Sequence, residues 1–150
     1  MDVHSPFERV PFGDVLPGQI VAVEAEQKTT VAIATLVGGR QVGFLLLEGI
    51  SAGRIKYLFS GTVLRFKDPV LLALRYESNS LSWSKPAGDI LVAVSGEETY
   101  FMFEDHGRYH AMNVKTGVMS NPPAEPLYIG KWAIQSELQA ELVLESQPKT

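Results

Sequence analysis

The densest group of reactive side chains lies between Glu104 and His110, in the run Glu-Asp-His-Gly-Arg-Tyr-His. Histidine and carboxylate side chains are metal ligands, and His110 is of a residue type that serves as a general base. A spacing of four brings His106 and His110 together on a helix, but Asp-His-Gly is typical of a tight turn between strands. In a hairpin, His106 lies at the tip and His110 points off one strand face. We therefore expect no metal site here.

Other catalytic patterns do not occur in the sequence. It contains no Gly-x-Ser-x-Gly motif and no cysteine, and Gly38-Gly39-Arg40 does not belong to a phosphate-binding loop of the Gly-x-x-x-x-Gly-Lys type. Paired carboxylates such as Glu97 and Glu98 are typical of solvated strand ends. The residue inventory favours a protein without catalytic residues and without a cofactor, and it leaves an enzyme open as the less favoured interpretation.

Positive charge is concentrated in the middle of the chain. The 150 residues carry a net charge of −4, which argues against a nucleic-acid-binding protein. Residues 52–86 hold six basic and two acidic residues, whereas residues 1–51 hold three and six and residues 87–150 hold four and nine. The basic segment either complements its acidic neighbours across the fold or binds an anionic ligand. For the second case the candidate ligand-binding residues are Arg65, Lys67, Arg75, Arg108 and His110.

Composition also suggests a compartment. The absence of cysteine fits a reducing environment, and the N-terminal residues lack the basic and apolar regions of a signal peptide. No apolar run approaches the 18 or so residues that a membrane-spanning helix needs. We expect a cytoplasmic protein that does not associate with membranes.

The clearest structural pattern runs from Thr29 to Leu47, where two β-prone stretches flank Gly38-Gly39. Two adjacent glycines adopt positive φ without steric cost, as the central residues of a type I′ turn require. A second hairpin is predicted from Thr62 to Glu77, where an alternating strand and a continuously apolar strand flank Asp68-Pro69, and a three-stranded meander is predicted over residues 89–114. Residues 50–60 are predicted to form a short helix, and so are residues 137–145, which follow a capping box that starts at Ser136. Leu127 to Gln135 is predicted to be one strand.

These elements predict an all-β protein. We expect about nine strands in antiparallel meanders, forming a small barrel or roll or two packed β subdomains, with one or two short helices. Lys85-Pro86-Ala87-Gly88 is the best candidate linker, so the predicted halves are residues 1–84 and 85–150, with one continuous domain as the alternative.

The two halves show a weak internal similarity. At an offset of 68, Gly39-Arg40 aligns with Gly107-Arg108, Gly49 with Gly117 and Phe44 with Met112. If both halves follow the same plan, Phe44 and Met112 occupy equivalent core positions and both hairpin glycines have positive φ.

The function that follows from this inventory is binding without catalysis. In the strand at 99–103, Phe101 and Phe103 share one face and Tyr100 and Met102 share the other, so both faces are apolar. A surplus of apolar strand surface favours a protein-binding, regulatory or assembly-associated module, with a protein partner or a second copy as its ligand. The alternative is a small β-barrel that binds or acts on a small anionic ligand through residues 52–86.

Overall fold

The computed structural model describes residues 7–37, 41–73, 81–136 and 142–146. Within these ranges the chain forms fifteen β-strands and a single turn of 3₁₀ helix at Phe12–Asp14. The strands of the first half are β1 Phe7–Pro11, β2 Ile20–Ala25, β3 Lys28–Val37, β4 Gln41–Leu46, β5 Ile55–Lys56, β6 Thr62–Phe66 and β7 Pro69–Ala73. Those of the second half are β8 Leu81–Ser82, β9 Leu91–Ser95, β10 Glu98–Asp105, β11 Arg108–Asn113, β12 Met119–Ser120, β13 Leu127–Ile129, β14 Trp132–Ser136 and β15 Leu142–Glu145.

The strands assemble into three antiparallel sheets, which confirms the all-β prediction. The first sheet has the order β1-β6-β2-β3-β4-β5, and the second has the order β8-β13-β9-β10-β11-β12. The third sheet has the order β7-β14-β15 and therefore joins a strand of the first half to two strands of the second. Closure of a sheet into a barrel is not found among the described strands, so a barrel or roll remains a prediction. No helix in the described part of the chain is long and apolar enough to cross a membrane.

Both halves follow one topology. Each strand of the first sheet has a counterpart seven strands later, and the counterparts stand in the same order in the second sheet. The backbone bonds that close the loop after the third strand of each meander also correspond. Gly53 N–H donates to Leu46 O and Leu46 N–H to Arg54 O, just as Gly117 N–H donates to Asn113 O and Asn113 N–H to Val118 O. The chain is therefore an internal repeat at the level of topology.

The register of the two sheets identifies the counterparts residue by residue. In the first sheet Ile20 pairs with Ile33 and Ile33 with Leu45. In the second sheet Val92 pairs with Phe101 and Phe101 with Met112. All six side chains are buried in one cluster, the shared core, to which both halves contribute. The predicted division into residues 1–84 and 85–150 stays a prediction.

This register corrects the predicted equivalences. The counterpart of Met112 is Leu45, and that of Phe44 is Ala111. Phe44 is fully buried, but it lies in a cluster specific to the first sheet, whereas Met112 lies in the shared core. Likewise, the loop counterpart of Gly117 is Gly53, not Gly49. A shift of one residue moves a side chain to the opposite face of a sheet. The predicted alignment therefore matched Met112 with Phe44, a residue of the opposite face, instead of with Leu45.

An approximate two-fold axis, which passes through the third sheet, relates the two halves. Its strands β7 and β14 are counterparts and pair with each other in a symmetric register, Pro69 opposite Ser136, Leu71 opposite Ile134 and Ala73 opposite Trp132. Two equivalent strands that meet in this way form an isologous contact of the kind found in symmetric dimers.

The predicted short helices are wrong wherever the structure describes them. Residues 50–53 form turns and Ile55–Lys56 is a short strand beside β4, because Gly53 has a φ of +90°, which interrupts a helix. Leu142–Glu145 forms strand β15, and the remainder of the predicted terminal helix lies outside the described residues, as do Gly38-Gly39 and their predicted turn.

Two predicted strand arrangements are also wrong. Strands β6 and β7 do not form a hairpin, because β6 pairs with β1 and β2 while β7 pairs with β14. The predicted strand from Leu127 to Gln135 is divided at Gly130 and Lys131 into β13, in the second sheet, and β14, in the third. The meander of β9, β10 and β11 forms as predicted.

Candidate functional site

The predicted basic residues Arg65 and Lys67 line one cleft, here called the basic cleft. Arg65 lies on β6, and Lys67 and Asp68 form the reversal into β7, where Asp68 has a φ of +47°. Lys115, which follows β11 in the second half, lines the same cleft. The cleft has a volume of about 680 Å³. It therefore collects cations from segments that are distant in sequence.

One of these cations is already paired. Arg65 donates from Nε and Nη2 to Glu8 Oε1 on β1, at 3.1 and 2.6 Å. This hydrogen bond and the Arg65 charge lower the pKa of the Glu8 carboxyl, and Lys67 lowers it further. Lys67 and Lys115 are both exposed. Glu8 and Asp68 also line the basic cleft, so its described lining carries three positive and two negative side chains.

Of the other predicted ligand-binding residues, Arg108 and His110 do not line the basic cleft. Arg75 lies outside the described residues. Arg108 and His110 lie on β11 in the second sheet, where Arg108 is exposed opposite Asp105 and the His110 ring packs on Phe103 at 5.6 Å between centroids. The structure thus brings together two of the four predicted residues that it describes, Arg65 and Lys67. The signal that would have added Lys115 is tertiary, since nothing in the local sequence relates it to Arg65.

The turn at Asp105-His106-Gly107 has the predicted hairpin geometry. His106 and Gly107 have φ values of +51° and +76°, and His106 Nε2 lies 3.8 Å from Asp105 Oδ2. In the part of the chain that the structure describes, no three histidine or carboxylate side chains converge in a way that could hold a metal ion.

A second cleft was not predicted, and it is called here the apolar cleft. It has a volume of about 400 Å³. Its apolar side chains come from β7, β9, β13, β14 and the residue that follows β11, and Glu97, Glu98 and Lys115 also line it. The apolar residues are Leu71, Val92, Val94, Val114, Ile129 and Trp132. A concave apolar surface with a few charged groups at its rim is the usual form of a binding site.

Tyr109 is an ionisable group whose pKa is clearly shifted. Its hydroxyl is closed off from solvent and lies near that of Tyr128 without a hydrogen bond of good geometry among the described residues. Burial raises the pKa of Tyr109, and the neighbouring Tyr128 raises it further. The Lys85 ammonium lies 4.0 Å from the centre of the Tyr109 ring, in a cation–π contact. Because its pKa is raised, the Tyr109 hydroxyl stays protonated at neutral pH, and these side chains form a packing contact rather than an acid–base site.

Comparisons of the chain with protein-family models, with curated proteins and with solved structures find no match.

Proposed function

We propose that this protein is a non-catalytic binding module whose ligand is another protein chain, either a regulatory or assembly partner or a second copy. The observation that carries the proposal is the exposure of Trp83, whose side chain is 73% accessible just after β8 at the edge of the second sheet. Tryptophan is usually well buried, and it is enriched among the residues that contribute most to protein–protein binding.

Further exposed apolar side chains support this proposal. Phe59, between β5 and β6, is 86% accessible, and Ile50, between β4 and β5, is 91% accessible. Exposed side chains of this size lose unfavourable contact with water when a partner covers them. The lack of cysteine agrees with the proposal that the module acts in the cytoplasm.

Light scattering over a range of protein concentrations, alone and with a cell lysate, tests the proposal. We expect either a concentration-dependent dimer or a captured partner, and Trp83→Ser should weaken the association at least tenfold without changing the melting temperature. Lys28→Glu, a change at an exposed residue of β3, is the control and should have no effect. An association that Trp83→Ser leaves intact, or a protein that stays monomeric and captures nothing, would contradict the proposal.

The second candidate function is the binding of a small anionic ligand in the basic cleft. It is supported by the convergence of Arg65, Lys67 and Lys115, of which the two lysines are exposed. Guanidinium and ammonium groups bind phosphate and carboxylate oxygens through charge-assisted hydrogen bonds. An anion would have to compete with Glu8 for Arg65, so the two lysines would provide most of the new interaction.

Thermal unfolding with inorganic phosphate, nucleotides and sugar phosphates tests this candidate. At a ligand concentration of about 100 times Kd, binding stabilises the folded state by about 2.7 kcal/mol, a rise of several degrees in melting temperature. Lys67→Ala should abolish the rise, and Lys28→Ala should not. An equal rise in both variants would indicate a general salt effect and would contradict the candidate.

A further inference from the structure

The two halves differ at the outer edges of the third sheet. Strand β14 has β7 on one side and β15 on the other. Its counterpart β7 pairs with β14, and on its other side no strand lies among the described residues. Among the described residues, one of two equivalent edges is therefore covered, and the other, called here the open edge, has no neighbouring strand.

The covered edge shows what such an edge binds. In β15, Leu144 lies opposite Ile134 and is only 7% exposed, as part of the shared core. After the strand, Ser146 N–H donates to Trp132 O at 2.8 Å, and Trp132 N–H donates to Ser146 Oγ at 3.1 Å. The segment Leu-Val-Leu-Glu-Ser thus combines an apolar anchor with backbone hydrogen bonds to β14.

The open edge has the matching features without an occupant among the described residues. Leu71, the counterpart of the buried Ile134, is half-buried and lines the apolar cleft. Val114 on the cleft wall is the counterpart of Leu47, since Val114 N–H donates to Thr99 O as Leu47 N–H donates to Val31 O. Leu47 lies in the shared core with Leu144. The apolar cleft therefore occurs beside β7, in the position where the other half places an apolar side chain of β15.

The charges at the two edges differ in a way that selects the occupant. By the same register, Lys115, which lines the apolar cleft, corresponds to Glu48, whose Oε2 accepts a hydrogen bond from Val31 N–H. Lys115 lines both clefts, and the basic cleft adds Arg65 and Lys67. Glu97 and Glu98 line the apolar cleft but not the basic cleft. An acidic residue on the Lys115 side would be favoured, and one beside Glu97 would be repelled.

We propose that the open edge of β7 binds an extended segment of another protein, with alternating apolar residues and one acidic residue, in the way that β15 binds β14. An added strand gains backbone hydrogen bonds from the sheet edge, and pockets for its side chains provide selectivity. This inference rests on the proposed protein-binding function and specifies its partner as an acidic, apolar, extended peptide.

The probe is a synthetic peptide, Ser-Ser-Leu-Val-Leu-Glu-Ser-Ser, that carries a fluorophore. A photo-crosslinking residue replaces its second leucine. Fluorescence anisotropy with the full chain should show saturable binding. Lys115→Glu should weaken it about fivefold or more, and a peptide with lysine in place of its glutamate should restore binding to that variant. The exposed Lys28→Glu serves as the control and should bind the original peptide like the unchanged chain.

Cross-linking followed by mass spectrometry distinguishes the two edges. Attachment to residues 69–71, 92–99 or 114–115 supports the inference, whereas attachment to β14 means that the peptide displaces β15 and overturns it. The inference is also overturned if the peptide shows no saturable binding at millimolar concentration. It is likewise overturned if Lys115→Glu and the lysine-containing peptide leave the affinity unchanged. The proposed function is tested separately, by the effect of Trp83→Ser on association. If Trp83→Ser abolishes association but the peptide does not bind, the proposed function is supported and this inference is wrong.

Discussion

At the scale of single residues, two glycines in equivalent loops bring the halves into contact. The hydrogen at Gly53 Cα points toward Asp89 O, since a Cβ placed there would lie 3.1 Å from that oxygen. A Cβ on its counterpart Gly117 would lie 2.6 Å from the carbonyl carbon of Pro17. Each glycine of one half thus touches backbone of the other, and no larger side chain fits at Gly117 without movement of the chain.

Gly117→Ala should destabilise the protein more than Gly107→Ala. Both glycines have positive φ, +71° and +76°, but nothing lies within 4 Å of a Cβ at Gly107. The backbone cost of alanine at positive φ, about 1–2 kcal/mol, is common to both. The clash with Pro17 should add about 1–3 kcal/mol in Gly117→Ala alone. Urea unfolding of the two variants measures the difference, and equal losses would show that the close approach does not matter.

Tyr109→Phe should change the stability at alkaline pH. Because the folded-state pKa of Tyr109 is raised, the unfolded chain loses the phenolic proton first, and the folded state loses stability as the pH rises above about 10. Phenylalanine has no such proton, so the variant should lose less stability between pH 9 and pH 11. The comparison is the free energy of unfolding of both proteins at each pH. Parallel profiles would mean that Tyr109 titrates alike in both states.

At the scale of elements, the central strands of the two large sheets are buried on both faces. Alternate residues of β3 and β4 enter the shared core and the first-sheet cluster, as Ile33 and Leu45 do on one face and Ala34 and Phe44 on the other. In the second sheet Met102 and Ala111 pair at the positions of Ala34 and Phe44. In the first sheet the small residue Ala34 is on the earlier strand and the large residue Phe44 on the later one, and in the second sheet this order is reversed. The two pairs therefore fill a similar space with different sequences.

Phe44→Ala should cost about 3–5 kcal/mol of unfolding free energy, because the ring is fully buried and its removal leaves a cavity. Phe59→Ala removes the same atoms from a side chain that is 86% exposed, and it should change stability by less than about 0.5 kcal/mol. Urea unfolding monitored by circular dichroism measures both. A small loss for Phe44→Ala would place its ring at the surface and contradict the packing of the first sheet.

At the scale of the whole molecule, the shared core connects the halves. It contains buried residues from β2, β3 and β4 of the first half together with residues from β9, β10, β11 and β14 of the second. The third sheet adds hydrogen bonds between β7 and β14. Loss of either half would expose the apolar surface of the other, so the two should unfold together.

Unfolding in urea should therefore be a single cooperative transition. Trp132 is 4% exposed in the shared core, so in a Trp83→Phe variant the tryptophan fluorescence reports on that core alone. The fluorescence transition should coincide with the loss of strand signal in far-ultraviolet circular dichroism. Two separated transitions would instead support the division into independent domains at residues 84 and 85.

The sequence by itself determined which residues form strands in most of the chain and which faces they present. The all-β class, the meander of β9 to β11 and the positive φ of Gly107 are each predictable from alternation and turn residues. Alternation is a local property, because successive side chains of a strand point to opposite faces whatever the strand pairs with. For the same reason Phe101 and Phe103 could be placed together, and they do share a core.

Only the tertiary structure decided which strands pair, in which register, and which side chains meet. Backbone hydrogen-bonding groups are the same in every strand, so nothing local separates β6 and β7 into different sheets or aligns Met112 with Leu45 instead of Phe44. Arg65 and Lys115 meet because the packing of the two sheets brings distant segments to one cleft. The open edge of β7 is likewise identified only by comparison with the covered edge of β14. It depends on how the two halves pack and not on any residue of β7 itself.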